Sequence, residues 1–168
     1  VRAPGDSETV VDFLGNSGAC ALREDIGGVQ LWYCNSGNAS LATFDGGPEL
    51  VAAHLPGTLD DPLYATLFWR ATTPVTTDYT VFVHVVDAAG NMLGQWDQVP
   101  GAGSAPTSGW TPGTLVADDY RIDLDAAAAQ SPVRVIVGLY DPVTGERLPV
   151  LATSLPSADN AVDVRSYP

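Results

Sequence analysis

Lysine is absent from this chain of 168 residues, and 7 arginines face 20 aspartates and glutamates, giving a formal net charge of -13. So anionic a surface repels phosphate backbones and acidic bilayers, which excludes nucleic acid and anionic lipid as partners. Charge is nevertheless sparse, at 16% of residues against 45% hydrophobic ones, so the chain is no disordered acidic tail. Long apolar runs are also missing; nothing approaches the roughly 20 residues a spanning helix needs, and no membrane insertion of this chain is expected. The two histidines, His54 and His84, and the two cysteines are too few for most zinc sets or catalytic triads. Methionine occurs only at Met92 and the chain opens on Val1 with no basic and apolar leader, so it reads as a processed or excised piece.

What is present is size enough for one core, since a chain of this length buries roughly 70% of its unfolded surface. Apolar residues alternate with a period of two, and nowhere do they recur at helical spacing over a dozen residues, so the chain reads as all-β. The clearest strand is 79–87, where Val81, Val83 and Val85 share one face and Phe82, His84 and Val86 the other. A strand apolar on both faces is expected at the centre of a sandwich or beneath a covering loop. Residues 87–91 supply turn chemistry, and 92–97 return as its hairpin partner. Further strands are expected at 9–14, 49–54, 63–70, 115–124, 133–140, 147–152 and 161–165, with Gly, Pro and Asp concentrated between them. The run 125–130, with four alanines, is the sole helical candidate and is too short to stand alone.

Cys20 and Cys34 flank a Gly27-Gly28 turn, a spacing at which a cross-strand disulfide is natural. Such a bridge contributes about 3 kcal/mol and implies an oxidising compartment. Two buried free thiols are the alternative. Residues 1–47, rich in Gly, Asn and Ser, read as an appended hairpin layer packed on a core sandwich at 49–165, the whole forming a single domain.

The stretch 63–71, the run 78–90, Gln95-Trp96-Asp97, the segment 106–113, Asp118-Asp119-Tyr120-Arg121-Ile122 and residues 138–148 form a set of motifs. As a set they resemble a recurrent accessory β-sandwich at the C-terminal, exoplasmic end of bacterial membrane glycosyltransferase-like proteins of the filamentous green bacteria type. The resemblance covers residues 49–165 and departs at Gln130-Ser131-Pro132-Val133, where the family has Pro-Gly-x-Tyr. It implies an extracytoplasmic, non-catalytic module and transfers no catalytic residue.

No enzyme signature is found. Gly15-Asn16-Ser17-Gly18 lacks the pattern of a nucleophile elbow, and Gly101-Ala102-Gly103 neither continues to a third glycine nor opens a helix. His84, in an apolar strand, reads as a hydrogen-bonded core residue before it reads as a base or ligand, and His54 similarly. Asp118, Asp119, Asp123 and Asp125 are read as one strand and its exit, with Asp123 and Asp125 on a common face, and such oxygens at a loop end are candidates for calcium. A solvated acidic face with Arg121 pairing is the competing reading. Trp96, Trp110 and Tyr120 lie beside Gly- and Pro-rich loops, where exposed rings would stack on sugar faces while Asp97 or Asp119 accepts hydroxyl hydrogen bonds; against this stands the core-plugging role common to tryptophan.

The expectation is therefore an immunoglobulin-like or jelly-roll β-sandwich with a disulfide-stapled N-terminal hairpin, outside the cytoplasm and non-catalytic. Its partner is a glycan, bound through Trp96, Asp97, Trp110 and Tyr120, or else a protein of the cell envelope. An enzyme would need two carboxylates such as Asp97 and Asp119 converging at a glycosidase separation.

Overall fold

The computed structural model describes residues 40–113, 115–130 and 132–168, together with the backbone of two N-terminal strands, β1 (Cys20–Ile26) and β2 (Val29–Cys34). The expected strand at 9–14 and the Gly27-Gly28 turn lie outside the described residues. Ten further strands follow: β3 (Ala42–Phe44), β4 (Pro48–His54), β5 (Leu63–Ala71), β6 (Thr80–Asp87), β7 (Met92–Gln98), β8 (Leu115–Ile122), β9 (Val133–Tyr140), β10 (Val150–Thr153), β11 (Ser157–Ala158) and β12 (Ala161–Tyr167). The alanine run forms only a 3-10 turn at Ala126–Gln130.

The strands build two antiparallel five-stranded sheets, in the orders β10-β3-β4-β5-β8 and β11-β12-β9-β6-β7, while β1 and β2 pair with each other. β3 precedes the expected start of the core sandwich at 49, yet it sits inside the first sheet between β4 and β10.

The period of two decides what faces what. Leu63, Ala65, Leu67, Trp69 and Ala71 of β5 meet Val81, Val83 and Val85 of β6 and Val133, Val135, Val137 and Leu139 of β9 in one core. Trp69 is at its centre, its ring 5.9 Å from Phe44 and 6.4 Å from Trp110. β-Branched residues dominate the second sheet because their stiff side chains pack well on a pleated surface.

β6 is apolar on both sides for a reason visible in its neighbours. It is flanked by β7 and β9, and its outward-facing Phe82 lies over Gly138, its register partner. A Cβ at Gly138 would stand 2.5 Å from Phe82 Cζ, so only glycine admits the ring. The guanidinium of Arg147 closes over the Phe82 ring, 4.4 Å from its centroid, held by its bond to the Asp159 carbonyl at 3.1 Å. The turn 141–147 thus roofs the outer face of the second sheet, and Phe82, His84 and Val86 are buried there.

Candidate functional site

β7 and β8 are the last strands of their respective sheets, and they come together along one side of the sandwich. Most of the residues expected to carry function lie on these two strands. Alternation along β8 turns Asp118 and Tyr120 inward and Asp119 outward: Leu67, the register partner of Asp118, is a core residue, and Thr66, the partner of Asp119, faces the other way.

Asp118 is fully buried. One of its oxygens accepts the hydroxyl of Tyr120, and the other accepts the Gly101 backbone N–H at 2.8 Å and the Gln98 amide at 2.7 Å. Burial pushes the Asp118 carboxyl up, against the opposing pull of these donors. The Tyr120 hydroxyl is pushed far above its ordinary value, by burial and then by the neighbouring carboxylate. The cluster ties the turn at 99–105 to β8. Gly101, Ala102 and Gly103 of that turn all adopt positive φ, and Gly101 is the residue whose N–H reaches Asp118.

Gln98 extends the cluster to the surface. Its amide also donates to the Asp119 carbonyl at 3.0 Å, and its side-chain oxygen accepts the indole N–H of Trp96 at 2.9 Å. Trp96 is 45% exposed and yet held in place. Nothing in the sequence singled out Gln98, because an isolated glutamine near a strand end carries no pattern.

The sugar platform does not assemble. Trp110 is 5% exposed and donates to the Ala105 carbonyl at 2.9 Å, and Tyr120 is 2% exposed beneath Asp118. Both rings are core elements, as the alternative reading of tryptophan has it. Asp97 follows Trp96 on the strand and therefore faces the opposite side, where it meets His84 Nε2 at 2.9 Å.

The acidic set does not assemble either. Asp118 is spent on three donors, and Asp119, on the opposite face, accepts the Thr66 hydroxyl at 2.7 Å. β8 ends at Ile122, so Asp123 and Asp125 lie beyond the strand rather than on a common face of it. Asp123 pairs with Arg121 at 2.8 Å, and Asp125 accepts the Ala127 N–H at 2.8 Å, opening the 3-10 turn. Among the described residues no three His, Cys, Asp or Glu side chains are grouped so as to hold a metal ion. Asp97 and Asp119 sit on the outward faces of different sheets with the core between them, so they are not a converging pair.

His84 is a second polar feature. Its ring packs on Phe82 at 4.7 Å, and its Nδ1 is buried with no partner. Burial lowers the affinity of the imidazole for a proton, Asp97 opposes this, and Arg147 adds to it. A neutral ring donating from Nε2 to Asp97 leaves only a bare lone pair at Nδ1, whereas the charged ring would bury an unpaired N–H. His54, at the end of β4, is exposed and makes no part of this cluster.

Comparison with known proteins finds no matching family model, no similar curated protein and no similar solved structure.

Proposed function

We propose that the chain is a non-catalytic, extracytoplasmic accessory module that contacts another protein, with Trp96 at the centre of the contact. The observation that carries this reading is the Trp96–Gln98–Asp118 chain, which fixes one exposed aromatic ring at a sheet edge by bonds reaching into the core. A large rigid aromatic whose rotamer is already set loses little entropy on binding, which is how hot-spot residues act. The glycan reading keeps only Trp96 of its three rings, since Trp110 and Tyr120 are buried.

Two finer features belong to the proposal. The fold is immunoglobulin-like rather than a jelly roll: the orders β4-β5-β8 and β7-β6-β9-β12 follow the A-B-E and C′-C-F-G arrangement of that architecture. The N-terminal hairpin is stapled by a disulfide. Cys20 and Cys34 are register partners in the β1–β2 ladder, where paired Cα atoms stand about 4.5–5.5 Å apart, within the range a disulfide spans. That bridge supports a location outside the reducing cytoplasm.

The test replaces Trp96 with a photo-cross-linking phenylalanine analogue and, as a control, Leu151, which is exposed on β10. Irradiation with envelope extract is expected to yield a discrete protein adduct, identified by mass spectrometry, from position 96 and not from 151. A glycan array with and without calcium is expected to stay blank. Saturable sugar binding abolished by Trp96→Ala would overturn the reading in favour of a lectin.

A further inference from the structure

We propose that the half of the β7 edge left unpaired by the described residues, 95–98, receives an extended, positively charged peptide segment of a partner protein, which adds to the sheet as a further strand beside Trp96. This rests on the reading of the chain as a protein-contacting module and adds the chemistry of the partner.

β7 ends its sheet, and only part of its free side is covered. The chain leaving β8 closes the first half: the Asp125 N–H donates to the Leu93 carbonyl at 2.7 Å, and a Cβ at Gly94 would stand 2.9 Å from the Asp123 carbonyl oxygen. The β6–β7 register shift at Val85/Val86 also falls in this half. Beyond Gly94, among the described residues, no strand pairs with β7 on that side.

Natural edges are guarded by charged side chains, lysine above all, by proline, by a bulge or by a covering loop. Residues 95–98 have neither lysine nor proline, and the bulge lies elsewhere on the strand. Asp97 is the one charge of this segment and is bonded to His84, and before it stands Trp96, exposed and fixed through Gln98. Strand addition gains main-chain hydrogen bonds along such an edge and specificity from the side chains beside it.

Charge selects the occupant. Asp97 lies on the strand itself, and Asp123 and Asp125 lie on the segment that closes its first half. Of the cations nearby, Arg121 is already committed to Asp123, and Arg147 lies over Phe82, the register partner of Asp97, where it is bonded to the Asp159 carbonyl. With a formal net charge of -13, a second copy of the chain is repelled from this edge, as is any acidic segment. A strand flanked by Lys or Arg is attracted.

The test uses the purified chain and three synthetic ten-residue peptides: alternating Thr-Lys, alternating Thr-Glu, and the Thr-Lys peptide N-methylated at every residue, which keeps its charge and loses its backbone donors. Calorimetric titration at about 50 mM salt is expected to show the Thr-Lys peptide binding at least tenfold tighter than the Thr-Glu peptide. That preference is expected to shrink at about 500 mM salt, where exposed charges are screened beyond about 4 Å. N-methylation is expected to abolish binding, and Trp96→Ala to weaken it at least tenfold without lowering the melting temperature. Undiminished binding of the N-methylated peptide would reduce the effect to non-specific charge attraction and overturn strand addition. No binding of the Thr-Lys peptide, or equal binding of Thr-Glu, would overturn the inference while leaving Trp96 cross-linking to decide the broader reading; loss of both would remove the two together.

Discussion

Tyr120 donates its hydroxyl to Asp118, two residues before it on the same inward face of β8, and this pair anchors both the 99–105 turn and, through Gln98, the exposed ring of Trp96. A carboxylate in this position is costly to bury and more costly to remove, because three donors depend on it.

Asp118→Ala is therefore expected to destabilise the fold by about 3–5 kcal/mol, since it strands the Tyr120 hydroxyl and the Gly101 N–H in the interior and leaves the Gln98 amide only the Asp119 carbonyl. Asp118→Asn keeps an acceptor for two of these donors and removes the buried charge, so it should lose less than half as much. Urea denaturation of the two variants checks the order. The Asp118 carboxyl is raised in the folded state, so it holds its proton more tightly there than in the unfolded chain, and its contribution to stability is present at low pH and lost as pH rises through the folded value. Asp118→Asn is expected to flatten that component of the pH profile.

His84 gives a component of opposite sign. Its folded affinity for a proton lies below the ordinary value of 6.5, so the unfolded chain binds the proton first. Stability is expected to fall as pH drops from about 6.5 toward the lower folded value, where an added proton would bury an unpaired Nδ1–H. Melting temperatures between pH 7.5 and 5.5 should decline for the native chain and stay nearly flat for His84→Gln. An equal decline in both would sink the assignment to His84.

Gly138→Ala is expected to cost about 2–3 kcal/mol, as overpacking does, because the new methyl meets Phe82 at 2.5 Å on one side and the Asn160 carbonyl oxygen at 2.8 Å on another. Gly57→Ala, with open space around it, should change stability by less than about 0.5 kcal/mol. Thermal denaturation of the pair separates steric conflict from any general intolerance of substitution.

The proposed Cys20–Cys34 bridge predicts a chain that resists alkylation until reduced and then takes up two alkyl groups by mass spectrometry. Reduction is expected to lower stability by about 3 kcal/mol if the hairpin unfolds with the rest of the chain. Immediate alkylation of both thiols in an oxidising buffer would dismiss the bridge.

How far these features were legible differs between residues. Alternation along 79–87 placed Val81, Val83 and Val85 in the core and foretold a strand covered on both faces, because burial on each side of a strand is written at every second position. The same alternation separates Trp96 from Asp97 and Asp118 from Asp119, so part of the platform and of the acidic set could have been discounted from parity alone. The end of β8 at Ile122 could not, since Asp123 and Asp125 continue the alternating pattern past the strand. Burial of Trp110 agrees with the core-plugging role common to tryptophan, whereas burial of Tyr120 was hidden, since it lies beside a loop that packs down only in the tertiary structure. Gln98 escaped notice, and the seat of Arg147 over Phe82 was not foreseen, for a related reason: each acts on a residue distant in sequence, Asp118 or Phe82, and long-range partners leave no local signature.

The pairing of β3 with β10 sets Thr43 against Ala152, so nearly the first described strand waits for one of the last. A nascent chain lacking residues beyond 149 leaves β3 unpaired on one side, a sticky border on an otherwise assembled layer. The first sheet is therefore closed by a contact between residues more than a hundred positions apart, the kind of distant pairing that slows folding.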